Sequence, residues 1–279
     1  MKVVRKISEL REAVPKGKKN GFVPTMGFLH EGHMTLVREA RKKSDIVVLS
    51  LFVNPAQFNS REDYDNYPRN EARDLELCKK NGVDTVYIPD PDEIYIGGKI
   101  PDISIRIPHL MKNLCATARP GHFEGVLLVI GKLFHAVRPD IVFLGKKDYQ
   151  QYLIIKEFTE VLNFPAEIVG VETVREKSGL AMSSRNARLS EKGLEAATLL
   201  YRSMILAEKL LRQGRAGIRE LREQIRDVIL SSPLTKIDYI ELLDPDTLEE
   251  KTVAEGKIFI GLAVFVENVR LIDNMTLNS

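Results

Sequence analysis

Residues Pro24 to His33 read PTMGFLHEGH. The apolar run before them, Gly21 to Met26 (GFVPTM), is expected to form a strand that runs into a turn. After them, His33 to Lys43 has helical spacing, with Leu36, Val37 and Ala40 on one face. The stretch therefore reads as a strand-to-helix turn. In open parallel sheets, ligands bind beyond the carboxyl ends of the strands. A helix start at that place offers unpaired N–H groups and a positive dipole end to phosphate. Gly27 allows the backbone to turn, and Gly32 allows a ligand to approach the helix start. His30 and His33 lie three apart and can share one face. As neutral imidazoles they can donate hydrogen bonds to a triphosphate. A lone histidine here would read as a surface residue. Two of the chain's five histidines in one turn point to function. The pair could also suggest a metal, but no third ligand is spaced nearby.

Outward from this turn, short apolar runs alternate with helical patterns. Asp45 to Val53 (DIVVLSLFV), Val83 to Ile88, Asp140 to Leu144 and Ala166 to Thr173 read as strands. Glu71 to Lys80, Val126 to Val137 and Tyr149 to Leu162 read as helices. This alternation implies right-handed crossovers and a parallel sheet. The pattern then changes. Ser190 reads as an N-cap for a helix to about Leu211, and Ala216 to Leu230 is a second helix. Three further runs follow: Lys236 to Leu243, Lys257 to Val266 and Val269 to Ile272. The expected fold is α/β. A Rossmann-like parallel-sheet domain would span 1–172, and a smaller α+β domain 173–279.

Composition narrows the classes. The 279 residues are 44% hydrophobic and carry a net charge of +2, which argues against a nucleic-acid partner. MKVVRKISELREAV has no continuous apolar region or cleavage site, and no apolar run is long enough to span a bilayer. A cytoplasmic protein is expected, with no membrane partner. Cys78 and Cys115 are expected to be reduced thiols. His135, on an apolar helix, is expected to be packed; His109 and His122 receive no role.

The H-x-G-H pattern of His30 to His33 is the signature of the nucleotidyltransferase superfamily, whose members act at the α-phosphate of a nucleoside triphosphate. A second landmark of that superfamily is a basic, serine-containing loop, and Ala181 to Asn186 reads AMSSRN. Alone it would be an ordinary surface turn. Further segments are FVNPAQF (Phe52 to Phe58), ARPGHFEGV (Ala118 to Val126) and GKKDYQQ (Gly145 to Gln151). Taken in this order, the whole chain resembles the pantothenate synthetase (pantoate–β-alanine ligase) family.

The resemblance implies roles by position. Met26, Gly27, Phe28, Leu29, His30, Glu31, Gly32 and His33 match the ATP-binding turn, with His33 as a proton donor. Gly145, Lys146, Lys147 and Asp148 match a nucleotide segment, in which Lys147 is favoured over Lys146 for phosphate and Asp148 for ribose. Val174, Met182, Ser183, Ser184 and Arg185 complete the ATP contacts. The catalytic group is His33, His30, Lys147 and Arg185. Gln57 and Gln151 match the pantoate contacts, Gln57 later serving β-alanine, and Asn54 and Met26 beside them are also expected to bind substrate. Fixed amides can orient a carboxylate without neutralising it as a nucleophile. Arg119 is expected to contact substrate or loop. ATP is the implied co-substrate and Mg²⁺ the implied metal, riding on the nucleotide. Asp74 is a possible protein contact for that metal, although its helix setting suggests a solvated charge. The AMSSRN loop and the C-terminal unit are expected to act as a lid. A homodimer is implied by the family alone.

Three other readings compete. A nucleotidyltransferase acting on a phosphate acceptor would want a second cationic pocket. A tRNA-charging enzyme would need an RNA-binding appendage. A non-enzymatic nucleotide-binding scaffold would need neither the histidines nor Lys147 and Arg185.

Overall fold

The computed structural model describes Met1–Asn278. Its chain divides into two compact units. The first comprises Met1–Pro108, Arg119–Lys146 and Gln151–Glu172; the second comprises His109–Ala118, Lys147–Gln150 and Thr173–Ser279. Two segments from the first 172 residues thus group with the second unit.

In chain order the first half contains β1 (Lys2–Val4), α1 (Ile7–Ala13), β2 (Asn20–Thr25), α2 (Glu31–Lys43) and β3 (Ile46–Leu51). Then come α3 (Arg61–Asp65), α4 (Glu71–Lys80), β4 (Thr85–Tyr87), α5 (Pro91–Ile94) and α6 (Cys115–Ala118). The series continues with α7 (His122–Val137), β5 (Ile141–Gly145), α8 (Tyr149–Val161) and β6 (Glu167–Val171). The sheet of the first unit has six parallel strands in the order β1-β4-β3-β2-β5-β6. From β2 the chain proceeds one way through β3 and β4, then returns to place β5 on the other side. The order reverses between β2 and β5, and ligands collect beyond the strand ends at such a point. Buried Val23, Val47, Leu49, Val86, Ile141 and Phe143 from the strands pack with Met34, Val37 and Ala40 of α2. Strands covered on both faces read as continuous apolar runs.

The second unit contains α9 (Glu191–Arg212), α10 (Ile218–Ile229) and an antiparallel sheet of β7 (Thr235–Leu243), β8 (Lys257–Val266) and β9 (Val269–Asn278). Ala197, Leu200, Met204, Leu221 and Ile225 meet Ile258, Ile260, Leu262 and Val264 in its core. The Ser190 side chain accepts the N–H of Gly193, as expected of an N-cap. The last strand continues six residues past Ile272. Its polar stretch hides the strand period because Asp273 is 3% exposed, held by Arg175. β1, only three residues long, gives no periodic signal.

Candidate active site

The turn after β2 is tightly bound. Gly27 and Phe28 both take positive φ, +82° and +49°. Two left-handed residues in succession are unusual when the second is not glycine. Asp74, on α4, holds them there. Its Oδ2 accepts the N–H of Phe28 at 2.7 Å, and its Oδ1 accepts that of Leu29 at 2.8 Å. The neighbouring Arg73 donates to the Leu29 carbonyl at 2.8 Å and lies over the Phe28 ring. Asp74 is 2% exposed, so the expectation of a solvated charge is wrong. Burial raises its pKa above the ordinary carboxylate value, against the opposing pull of the Leu29 and Phe28 N–H groups and Arg73. Each oxygen accepts one backbone N–H, which leaves a further lone pair on each. Among the described residues, no three His, Cys, Asp or Glu side chains gather to hold an ion.

α2 begins at Glu31, two residues before the expected start, with His30 as its N-cap. The His30 N–H donates to His33 Nδ1 at 3.2 Å. That bond occupies the Nδ1 lone pair and leaves the neutral ring's proton on Nε2. The two imidazole centroids lie 4.0 Å apart. Since Asp74 takes the Phe28 and Leu29 amides and His33 takes that of His30, the opening donors of the helix are Glu31 and Gly32.

The second cluster lies after β3. Asn54 caps a short 3-10 turn, Pro55–Gln57, by accepting the N–H of Ala56. Gln57 Nε2 donates to Met26 Sδ at 3.0 Å. This contact joins the expected substrate amide to the first residue of the histidine turn. The backbone carbonyl of Gln57 accepts from Arg119 Nη2 at 3.0 Å and His122 Nδ1 at 2.8 Å. Arg119 Nη1 also lies 3.1 Å from His122 Nε2, so the ring is the Nδ1–H tautomer. His122, given no role by the sequence, thus supports the turn that carries Gln57. Gly125 of α7 makes this approach possible: a Cβ there would stand 2.1 Å from the Ala56 carbonyl oxygen.

The other expected residues fall as follows. Gly145 ends β5, the neighbour of β2, and Lys146 follows it. Lys146 Nζ pairs with Glu172 at 2.5 Å. Gln151 lies half-buried in the first turn of α8. These three, with the histidine turn, Asn54 and Gln57, belong to the first unit. Lys147, Asp148, Val174 and Met182–Arg185 belong to the second. There, Lys147 Nζ is 3.8 Å from Asp148, and the Lys147 carbonyl accepts from Asn274. The Met182 N–H donates to the Val174 carbonyl at 3.0 Å, which brings those two expected contacts together. Ser183 caps the 3-10 turn Ser184–Arg188, and Ser184 is buried. The base of this loop is anchored by a bidentate Arg175–Asp273 pair at 2.6 and 3.0 Å. His135 is exposed rather than packed, although its ring touches Phe164. It occupies the outward face of α7. Both cysteines are free and buried, and burial pushes the Cys78 thiol up to about 12.

A parallel sheet whose switch-point turn presents two histidines at a helix start defines an α/β enzyme of the nucleotide-activating kind. The family model described as pantoate-beta-alanine ligase matches residues 2–276. The chain belongs to the pantoate–β-alanine ligase family. A pantothenate synthetase of Leptospira interrogans is 53% identical over 272 residues, covering 98% of this chain and 95% of that protein. One from Caldicellulosiruptor bescii is 45% identical over 283 residues, covering all of both chains. The crystal structure of pantothenate synthetase from Thermus thermophilus aligns with a TM-score of 0.93 at 38% identity, over 99% of each chain. A pantoate-beta-alanine ligase from Francisella tularensis, complexed with beta-gamma ATP and beta-alanine, aligns at 0.81 with 34% identity, over 99% of this chain and 97% of that one.

Proposed function

We propose that this chain condenses (R)-pantoate with β-alanine at the expense of ATP, through a pantoyl-adenylate, giving pantothenate, AMP and pyrophosphate. In the first step a pantoate carboxylate oxygen forms a bond to the α-phosphorus. The bond to the bridging oxygen breaks, and pyrophosphate leaves with its electron pair. In the second step the β-alanine amine attacks the acyl carbon. AMP leaves with the C–O electron pair, and the nitrogen loses a proton. The contact between Gln57 and Met26 carries this reading, because it sets an uncharged amide beside the histidine turn.

The protein's work is positioning and charge stabilisation. His33 Nε2–H and the opening amides of α2 donate to phosphate oxygens, with His30 beside them. Lys147 and Arg185 supply cations as charge gathers on the departing pyrophosphate, and Asp148 takes the ribose. Lys147, beside Asp148, is taken as the cation; Lys146 pairs with the exposed Glu172. Gln57 and Gln151 orient the pantoate carboxylate and hydroxyls. Mg²⁺, bound to the triphosphate, would neutralise phosphate charge, with Asp74 as its candidate protein contact. The reading includes a cytoplasmic homodimer, supported by the family resemblance. No described helix is long and apolar enough to cross a membrane.

Pyrophosphate–ATP exchange tests the reading. Exchange that requires pantoate is expected. Exchange driven by an amino acid or by 4′-phosphopantetheine instead would sink it.

A further inference from the structure

Asn54 is 1% exposed, and its side-chain amide has no capacity left. Oδ1 accepts from Tyr95 Oη at 2.6 Å and from the Ala56 N–H at 3.2 Å. Nδ2 donates to the Gly125 carbonyl at 3.1 Å and to Gln57 Oε1 at 3.0 Å. A primary amide offers two donors and two acceptor lone pairs. All four are spent within the protein, so the Asn54 amide does not make the direct substrate contact expected of it.

The polarity of this network is fixed by backbone. The Ala56 N–H can only donate and the Gly125 carbonyl can only accept, so the Asn54 amide has a single satisfied orientation. Tyr95 must then donate to Oδ1, and Gln57 must present its Oε1 to Asn54. Gln57 Nε2 is thereby turned the other way, toward Met26. A reversed Gln57 would show a carbonyl oxygen where a carboxylate is to bind, and two acceptors repel.

We propose that Asn54, oriented by backbone and held in place by the Tyr95 hydroxyl, is a positioning residue that sets the amide polarity of Gln57, so that N–H rather than C=O faces the substrate carboxylate. The proposal rests on Gln57 contacting pantoate. Tyr95 is fully buried, and its ring packs beside Phe52, so the phenol has little room to move. The pair therefore selects for an anionic acid and against its neutral amide without touching either.

Steady-state kinetics test this in four variants. Tyr95→Phe keeps the ring and removes the donor; a rise in pantoate KM of about tenfold is expected, with ATP KM unchanged. Tyr87→Phe is the control, since that buried hydroxyl has no hydrogen-bond partner; it is expected to change neither constant. Asn54→Asp can no longer donate to Gln57 Oε1. It is expected to weaken pantoate more than the neutral competitor pantoamide. In a Gln57→Ala background, Tyr95→Phe is expected to add nothing. Undiminished effects of Tyr95→Phe in that background, or equal losses of pantoate and pantoamide in Asn54→Asp, would overturn the proposal. An unchanged pantoate KM in Gln57→Ala alone would instead remove the pantoate reading of Gln57, and this inference with it.

Discussion

Asp74 Oδ2 accepts the backbone N–H of Phe28 at 2.7 Å, at a residue whose φ is +49°. A carboxylate can take two adjacent amides because both its oxygens accept. A carboxamide can take one, and its NH₂ would face the other N–H. Asp74→Asn is therefore expected to fold and to loosen the turn. ATP KM should rise about tenfold, the scale of one buried donor left unsatisfied. Pantoate KM should change little. An unaltered ATP KM would show that the turn holds its shape without this carboxylate.

The same group predicts a pH dependence of definite sign. Burial raises the Asp74 pKa, so its proton binds in the folded state at a pH where the unfolded chain has lost it. Its contribution to stability is then greatest at acid pH. That contribution falls as pH rises from the unfolded carboxylate value, about 3.9, through the raised folded value. Function runs the other way, because a protonated oxygen no longer accepts an amide. kcat/KM for ATP should show an acid limb above the ordinary carboxylate range, with no loss of folded protein across it. In Asp74→Asn that limb should be absent, which paired activity and circular-dichroism titrations would check.

His33→Ala should keep the fold and lose adenylation by about 10²–10³-fold, the usual effect of removing one preorganised donor. Pantoate-dependent pyrophosphate exchange measures it directly. Near-wild-type exchange would remove His33 from the chemistry.

Gly125→Ala places a methyl 2.1 Å from the Ala56 carbonyl oxygen and 2.8 Å from the Gln57 nitrogen. Both obstacles are backbone, so the Pro55–Gln57 turn must move. A higher pantoate KM and a lower Tm are expected together, whereas Gly17→Ala, with open space around it, should spare pantoate binding. Equal kinetics in the two variants would count against the close approach.

Arg175→Met leaves the buried Asp273 carboxylate without its bidentate partner. Breaking such a pair costs about 3–5 kcal/mol. Denaturant unfolding should show that loss, and Ala181 to Arg185 should lose hydrogen-exchange protection. A change below about 1 kcal/mol would mean that solvent replaces the pair.

The parallel sheet was readable because its strands are apolar on both faces and its helices carry a clean period. The histidine turn was readable because a strand, two glycines and two histidines fell together. Asp74 was misread because local pattern sees only its own helix, where Glu71 and Arg73 suggest solvent. Its partners are amides 45 and 46 residues away. Asn54 illustrates the other limit. Its nearness to Gln57 in the chain suggests a substrate contact, but its amide is taken up by Tyr95 and Gly125, which no spacing connects to it. His122 was similarly hidden, since its acceptor is a backbone carbonyl.

The second unit gathers His109–Ala118 and Lys147–Gln150 with the chain beyond Thr173. Leu114 packs where Gly261 leaves room, Tyr149 stacks on Phe259 at 4.7 Å, and the Leu114 N–H donates to Glu241. A ribosome making about 10 residues per second would release Leu114 and Tyr149 on the order of ten seconds before those partners emerge. The apolar groups stand uncovered through that interval. A gene cut after residue 172 would make the exposure permanent and would yield a C-terminal fragment missing part of its own packing. The second unit is thus compact in space but discontinuous in the chain, and a hybrid that exchanges only the part beyond Thr173 would put two segments of one parent into the packing of the other.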